Sequence, residues 1–171
     1  MSEKRRLLGM TLDELKSVAF EAGLPGYAAK QMADWLYKKK VTSIAAMTNI
    51  ASAKRALLEK NFEVGAVPPS DLMKSVDGTI KYLYPAGPGN FVESVYIPTE
   101  DRATLCVSSQ VGCKMNCLFC MTGKQGFTKN LSANEILNQI QSLPETEELT
   151  NIVFMGMGEP CLLYTSDAAD E

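Results

Sequence analysis

The segment from Ala103 to Met155 constrains the fold most, because it reads as strand, loop, helix and strand. The β-prone ATLCVSS precedes a helical stretch in which Ser132 and Glu135 form a capping-box pattern, and the apolar NIVFM follows. An apolar strand after a crossover helix predicts a parallel, buried βαβ unit. Loops that follow such strands lie at the functional edge of α/β folds. The sequence therefore predicts an α/β protein with its functional motifs in these two loops.

Residues 1–64 predict a small helical domain. TLDE, from Thr11 to Glu14, has the pattern of a capping box, and apolar residues recur behind it at helical spacing. Further helices are predicted over residues 28–39, 44–47 and 51–61. Trp35 and the leucines of this segment are expected in its core.

Charge is unevenly distributed along the chain. Residues 1–60 carry 11 Lys and Arg against 6 Asp and Glu, whereas residues 61–171 carry 6 against 14. A basic segment on an acidic chain fits a phosphate-binding face, and it equally fits an ordinary solvated helix surface. The basic residues that stand out are Lys30, Lys38, Lys39, Lys40, Lys54, Arg55 and Lys60.

Residues 65–100 predict a linker, a β-hairpin and a further strand. β-prone arms flank Asp77 and Gly78, which is a strong hairpin signal. The next strand is FVESVYI, and its alternation places Glu93 on one face with Phe91, Val95 and Ile97. A carboxylate on an apolar strand face is unusual, and the alternative is an edge position that opens to solvent.

Three of the five cysteines lie within eight residues, as Cys113-x3-Cys117-x2-Cys120. Histidine is absent, which excludes mixed Cys/His zinc sites and His-based catalysis. A structural zinc site normally takes four ligands, and Cys106 in the preceding strand is poorly placed to be the fourth. An iron–sulfur cluster held by three thiolates would leave one iron open to another group. The spacing favours such a cluster, with structural zinc and unliganded thiols as alternatives.

The sequence gives no sign of membrane insertion or secretion. No apolar stretch approaches the length of a membrane span, and the first residues have no apolar run of the signal-peptide kind. Thiols stay reduced in the cytosol, where clustered cysteines favour metal or redox chemistry over disulfides. We expect a cytoplasmic protein.

The cysteine spacing, with the aromatic Phe119, resembles the signature of radical S-adenosylmethionine (SAM) enzymes. The segments VESVYIPTEDRATLCVSSQVGC, TGKQGFTKNLSANEIL and NIVFMGMGEP resemble the RlmN/Cfr family of RNA methyltransferases, and its RlmN branch most closely. MTLDEL, KQMADWLY and SVDGTIKYLY extend the resemblance to roughly residues 8–160. It implies a helical accessory domain that engages RNA (1–64), the hairpin segment (65–100) and the first βαβ part of a radical SAM partial TIM barrel (101–160).

The resemblance implies methylation of C2 of an adenine in 23S rRNA and in certain tRNAs. Cys113, Cys117 and Cys120 would hold a [4Fe-4S] cluster whose open iron binds the amino and carboxylate groups of SAM. Electron transfer, from a donor such as flavodoxin, would cleave SAM to a 5′-deoxyadenosyl radical. A monomer is expected for the full-length protein. Two alternatives stay open: another radical SAM enzyme, or an RNA-binding module with a structural zinc loop.

Four further residues acquire roles through the same resemblance. Gly158 and Glu159 in GMGEP would contact the methionine amino group, since glycine permits close backbone approach and a carboxylate suits an ammonium. Glu93 matches the proton acceptor that removes the adenine C2 proton. Cys106 matches a cysteine that helps resolve the covalent enzyme–RNA intermediate, through a transient disulfide with a late cysteine.

The resemblance ends after Gly-Glu-Pro. The family continues with an apolar residue, an asparagine and more strand–helix units, whereas this chain ends CLLYTSDAADE. Residues 161–171 are therefore expected to be non-native, the alternative being a natural divergent tail. The late cysteine that carries the methyl group has no counterpart, and Cys161 is assigned no role. The chain alone is expected not to methylate RNA.

Overall fold

The computed structural model describes residues 4–163 and has the mixed α/β architecture predicted from the sequence. It divides into two compact units between Ala66 and Val67, and each unit has its own hydrophobic core. Residues 164–171, most of the tail predicted to be non-native, lie outside the described residues. Within residues 4–163, every helix is too short or too polar to span a bilayer.

The first unit is helical, as predicted. Its elements are β1 (Arg5–Arg6), α1 (Leu12–Glu21), α2 (Ala28–Ala33), a π-helical turn (Asp34–Lys38), a 3-10 turn (Ile44–Ala46), α3 (Ser52–Asn61) and β2 (Phe62–Glu63). The two short strands pair in parallel. The predicted second helix is thus an α-helix only to Ala33. From Asp34 to Lys38 it continues as the π-helical turn, in which a backbone N–H bonds the carbonyl five residues earlier instead of four. Trp35 packs against the core of this unit but is only half-buried, and its indole N–H donates to the side chain of Asn49.

Helix α1 begins at the predicted capping box. The Thr11 hydroxyl accepts the Glu14 N–H at 3.3 Å, and the Glu14 carboxylate accepts the Thr11 N–H at 2.6 Å. The cap satisfies donors that the first turn leaves without an intrahelical partner.

We expect Thr11→Ala to lower the free energy of unfolding of the first unit by about 1 kcal/mol, because it removes the hydroxyl that accepts the Glu14 N–H. Denaturant unfolding followed by circular dichroism measures the change. Thr48→Ala, at an exposed threonine of the same unit, is the matched control. An equal loss in both variants would show that the cap contributes nothing of its own.

The second unit is built on a five-stranded sheet of order β3-β4-β5-β6-β9. The strands are β3 (Asp71–Lys74), β4 (Ile80–Pro85), β5 (Phe91–Pro98), β6 (Ala103–Cys106) and β9 (Asn151–Val153). β3 to β6 are antiparallel neighbours, whereas β6 and β9 are parallel. Helix α5 (Ala133–Gln141) crosses between these two, which confirms the predicted βαβ unit. Between β6 and α5 lie β7 (Gln110–Gly112), α4 (Met121–Lys124) and β8 (Phe127–Asn130).

The core of this unit lies on one face of the sheet, packed against α5 and the loop that follows it. Tyr82, Tyr84 and Leu105 are fully buried there. The Tyr82 hydroxyl donates to the Glu145 carboxylate at 2.6 Å, and that acceptor together with burial raises the tyrosine's pKa. The predicted hairpin is confirmed, since β3 and β4 pair across a turn in which Gly78 adopts a φ of +87°.

The faces of β5 separate as its alternation predicts, but the burial of β5 and β9 differs from what their apolar residues suggest. Val92, Ser94 and Tyr96 form the buried face of β5, whereas Glu93 lies on the opposite, more exposed face. The edge alternative fails too, because β5 is the central strand of the five. β9 was expected to be buried, but Ile152 is 46% exposed, because β9 pairs only with β6 among the described strands.

Candidate functional site

The cysteine loop, residues 113–126, is closed at its base by two glycines. The Cys113 N–H donates to the Gly126 carbonyl at 3.0 Å, where β7 and β8 pair. Gly112 has a φ of +74°, and a Cβ there would overlap the Gly126 carbonyl oxygen. Only glycine tolerates both conditions, so the sequence GC at 112–113 fixes where the loop leaves the sheet.

The loop carries Cys113, Cys117 and Cys120 as half-buried free thiols. Its apolar tip is open to solvent, with Phe119 91% exposed. The backbone N–H of Gly123, in the first turn of α4, lowers the pKa of Cys120. A lower pKa favours the thiolate, which is the form that binds metals.

The donor set decides which metal group fits this loop. Among the described residues, no three His, Cys, Asp or Glu side chains converge closely enough to hold a single metal ion. A closed zinc site takes four ligands, one more than the thiols of this loop supply. Three thiols on one exposed loop, with no imidazole or carboxylate among them, fit an iron–sulfur cluster, which spreads its thiolate ligands over several irons.

A second loop, residues 156–162, follows β9 and is called the Gly-Glu loop below. A Cβ on Gly156 would come within 2.7 Å of the Ser108 hydroxyl, and one on Gly158 within 2.6 Å of the Gln110 Cβ. Both glycines therefore permit close packing against the chain between β6 and β7. The Glu159 carboxylate accepts the Cys161 N–H at 3.1 Å and raises the pKa of the Cys161 thiol.

Ser108 joins the Gly-Glu loop to the sheet and to helix α5. Its hydroxyl donates to the Glu93 carbonyl and accepts the Met157 N–H at 2.9 Å. Fully buried Gln139 of α5 accepts the Ser108 N–H at 2.9 Å and donates to its carbonyl at 3.0 Å. One residue thus contacts the strand of Glu93, the Gly-Glu loop and the crossover helix.

The strand register places Glu93 and Cys106 on the same face of the sheet. Cys106 pairs with Val95, which lies two residues after Glu93 on β5 and so on the same side. Burial raises the pKa of the Cys106 thiol. The Glu93 carboxylate accepts a hydrogen bond from the Lys81 ammonium at 2.9 Å, and both side chains are 43% exposed. This face is opposite the core that packs against α5.

A cavity of about 310 Å³ lies on this face. It is lined by Leu83, Phe91, Glu93, Met121, Thr122, Gln125 and Met157. The lining therefore draws on three motifs: the Glu93 strand, the helical turn that directly follows Cys120, and the Gly-Glu loop. Of the predicted site residues only Glu93 lines this cavity, whereas Cys120 and Gly158 are represented there by their sequence neighbours Met121 and Met157.

Several residues of the site were not found by sequence reasoning. Lys81, Ser108 and Gln110 contact predicted residues, and Gln139 in turn contacts Ser108. The only available signal was positional, since Ser108 and Gln110 lie in the segment that links the first strand to the cysteines. Amides and hydroxyls of this kind usually lie at the surface, so their burial could not be read from composition.

Comparisons with known proteins agree with this geometry. Residues 6–64 match the ribosomal RNA large subunit methyltransferase N-terminal domain, and residues 107–169 match the radical SAM superfamily. A crystal structure of a radical SAM methyltransferase from Sphaerobacter thermophilus superposes with a TM-score of 0.84 at 37% identity. The superposition covers 94% of this chain and 49% of that one. The fold and site therefore define a radical SAM protein.

Curated relatives narrow the assignment. A “Probable dual-specificity RNA methyltransferase RlmN” from Parabacteroides distasonis is 81% identical over 94% of this chain and 47% of its own length. A “Dual-specificity RNA methyltransferase RlmN” from Geotalea uraniireducens is 46% identical over 92% of this chain and 46% of its own. The chain belongs to the RlmN family, and it spans about half the length of the curated relatives it matches.

Proposed function

We propose that the protein acts in methylation of C2 of adenine in 23S rRNA and tRNA, as a radical SAM enzyme. The observation that carries this proposal is the cavity lined by residues of the Glu93 strand, of the turn after Cys120 and of the Gly-Glu loop. The proposed proton acceptor, the loop proposed to hold the cluster and the loop proposed to contact SAM each contribute a residue to its lining. The names of the relatives support the same reaction.

Cys113, Cys117 and Cys120 are proposed to hold a [4Fe-4S] cluster, and Gly158 and Glu159 to contact the SAM amino group. When bound, the cluster supplies the electron that cleaves SAM homolytically. The exposed loop tip leaves the thiols accessible for cluster assembly. An electron donor such as flavodoxin is proposed to deliver that electron, in a cytoplasmic setting that keeps the free cysteines reduced. We propose a monomer.

Glu93 is proposed to accept the C2 proton of the adenine. Its carboxylate borders the cavity and is held by the Lys81 ammonium at 2.9 Å, which orients it and balances its charge. Cys106 is proposed to help resolve the enzyme–RNA intermediate, because its thiol is on the same sheet face. Both roles need a side chain on the cavity face, and the strand register supports this.

The first unit is proposed to contribute affinity for RNA. It carries most of the chain's excess basic residues, and Lys38 and Lys39 are exposed. Lys38 pairs with Asp34 at 3.1 Å, and Lys39 lies 3.5 Å from the centre of the Trp35 ring. Exposed ion pairs are weak, so the first contact leaves Lys38 available to a phosphate. Lys39 keeps its charge while stacked.

Replacing Lys38, Lys39 and Lys40 with Gln is expected to weaken RNA binding and its dependence on salt. For a duplex, each phosphate contact adds about 0.9 to the magnitude of the slope of log affinity against log salt concentration. The slope should therefore become shallower by the equivalent of up to about three phosphate contacts. Salt titrations of the whole chain against a 23S rRNA fragment measure it. Cluster assembly should be unaffected.

The control removes the same charge at three exposed positions elsewhere, by replacing Lys4, Lys74 and Arg102 with Gln. A slope that falls equally in both variants would mean that only net charge matters. An unchanged slope in the first variant would mean that its lysines make no phosphate contact. Either result would contradict the proposed role of this face.

The complete coding sequence provides the direct test of the proposed function. It would be expressed in a host whose 23S rRNA and tRNA lack C2-methyladenine, and the RNA would be digested and analysed by mass spectrometry. We expect the modified base with the parent protein and none with Cys117→Ala. A cluster-containing protein that leaves both RNAs unmodified would overturn the proposal.

A further inference from the structure

A buried glutamine connects the cysteine loop to the Gly-Glu loop. Gln110 in β7 is fully buried although its side chain is polar. Its Oε1 accepts the Glu159 N–H at 3.1 Å, and its Nε2 donates to Asn130 Oδ1 at 2.9 Å. The amide orientation follows from the first contact, because a backbone N–H can meet only the oxygen. A buried amide bonded at both ends holds its neighbours in one arrangement.

Two further contacts hold the Gly-Glu loop against the same residue. The Met157 carbonyl accepts the Gln110 N–H at 3.1 Å. Gly158 lies so close that a Cβ on it would be 2.6 Å from the Gln110 Cβ, and its φ of +102° suits glycine. Gln110 therefore contacts the loop at Met157, Gly158 and Glu159, all of which precede the tail expected to be non-native.

Gln110 is also tied to the other loop, because it lies three positions before Cys113 in the strand that leads into it. β7 pairs with β8 up to the base of the cysteine loop, so this strand cannot shift without moving that base. Gln110 thus sets where the Gly-Glu loop lies relative to the cysteines. Neither loop contains a helix long enough to fix this position by itself.

We infer that Gln110 is a positioning residue for SAM, which it serves by fixing Gly158 and Glu159 relative to the cysteine loop. The inference rests on the proposed function, in which SAM contacts both loops at once. A ligand that bridges two loops binds well only when their separation is held. Gln110 would act through the Gly-Glu loop and would not touch SAM.

Gln110→Met tests the inference, because methionine keeps the length of the side chain and leaves the Glu159 N–H without an acceptor. We expect amide hydrogen exchange over residues 156–162 to accelerate roughly tenfold, since a buried N–H without a partner opens more readily. We expect the affinity of the cluster-reconstituted protein for SAM, measured by equilibrium dialysis, to fall about tenfold. Iron and sulfide content should stay at the parent level.

Gln141→Met makes the same chemical change on α5, away from both loops, and should change neither measurement. If methionine at 110 prevents folding, Gln110→Asn keeps the amide but shortens its reach by one methylene, with both effects expected in the same direction. Loss of the cluster together with SAM binding would mean a merely structural role, and unchanged exchange and affinity would mean none. A parent protein that binds a cluster but no SAM would refute the proposed function. In that case amide hydrogen exchange over residues 156–162 would still test whether Gln110 holds Glu159 in place.

Discussion

Cys117→Ala is expected to abolish cluster binding. Anaerobically reconstituted parent protein should contain about four irons per chain, with matching acid-labile sulfide and visible sulfur-to-iron absorption. With one thiolate removed, only Cys113 and Cys120 remain on the loop, and two ligands do not hold a cubane. Cys113→Ala and Cys120→Ala should behave in the same way. Iron analysis and the visible spectrum measure the loss.

Cys106→Ala is the matched control, because this thiol belongs to a strand and not to the cysteine loop. It should retain the parent's iron and sulfide. Retention of the cluster by Cys117→Ala would refute the ligand assignment. Stoichiometric zinc in place of iron would favour the structural-loop alternative, although the described residues offer no converging set of ligands for it.

In the protein expressed from the complete coding sequence, Glu93→Gln is expected to lower methyl transfer by roughly 10²–10⁴-fold, the usual contribution of a positioned general base. Glutamine keeps the size and much of the hydrogen bonding of glutamate but cannot accept the proton at neutral pH. The side chain is half exposed, so the change should leave folding intact. Mass spectrometry of C2-methyladenine in RNA from the expression host measures the effect, and cluster content should not change.

Glu100→Gln, in the exposed turn after β5, makes the same substitution away from the cavity and should retain full activity. A second comparison tests the ion pair: Lys81→Arg keeps a cation beside Glu93, whereas Lys81→Met removes it. We expect the methionine variant to be the less active of the two. Full activity in Glu93→Gln would exclude this residue as the proton acceptor.

Local signals were read correctly from the sequence because their physics is local. Thr11 and Ser132 begin helices in the structure as their capping boxes predict. A cap depends on residues within one turn, so no knowledge of the fold is needed. The parallel pairing of β6 with β9 was also predictable, since a crossover helix between two strands leaves little other choice.

The orientation of β5 could not be read in the same way. Alternation separates its residues into two faces, but both faces contain large apolar side chains: Val92 and Tyr96 on one, Phe91 and Ile97 on the other. Which face is buried depends on where α5 packs, and that is a tertiary choice. Ser94 lies on the buried face, although a serine more often indicates exposure.

The burial of two glutamine side chains could not be predicted from the sequence for a related reason. Gln110 and Gln139 become core residues only because each meets backbone groups that are distant in sequence, at Glu159 and Ser108. Their energetics follow from partners and not from residue type, since a buried amide is costly until it is bonded. A single sequence contains no record of those partners.

Mutations on the two faces of β5 should have different effects. On one face Val92, Ser94 and Tyr96 pack into the core, so substitutions there should reduce protein abundance in cells whatever the chemistry. On the other face Glu93 and Val95 contribute little to that core. A saturation library read for both abundance and RNA methylation should therefore alternate along this strand. Every second codon would be limited by folding, and the codons between them by catalysis.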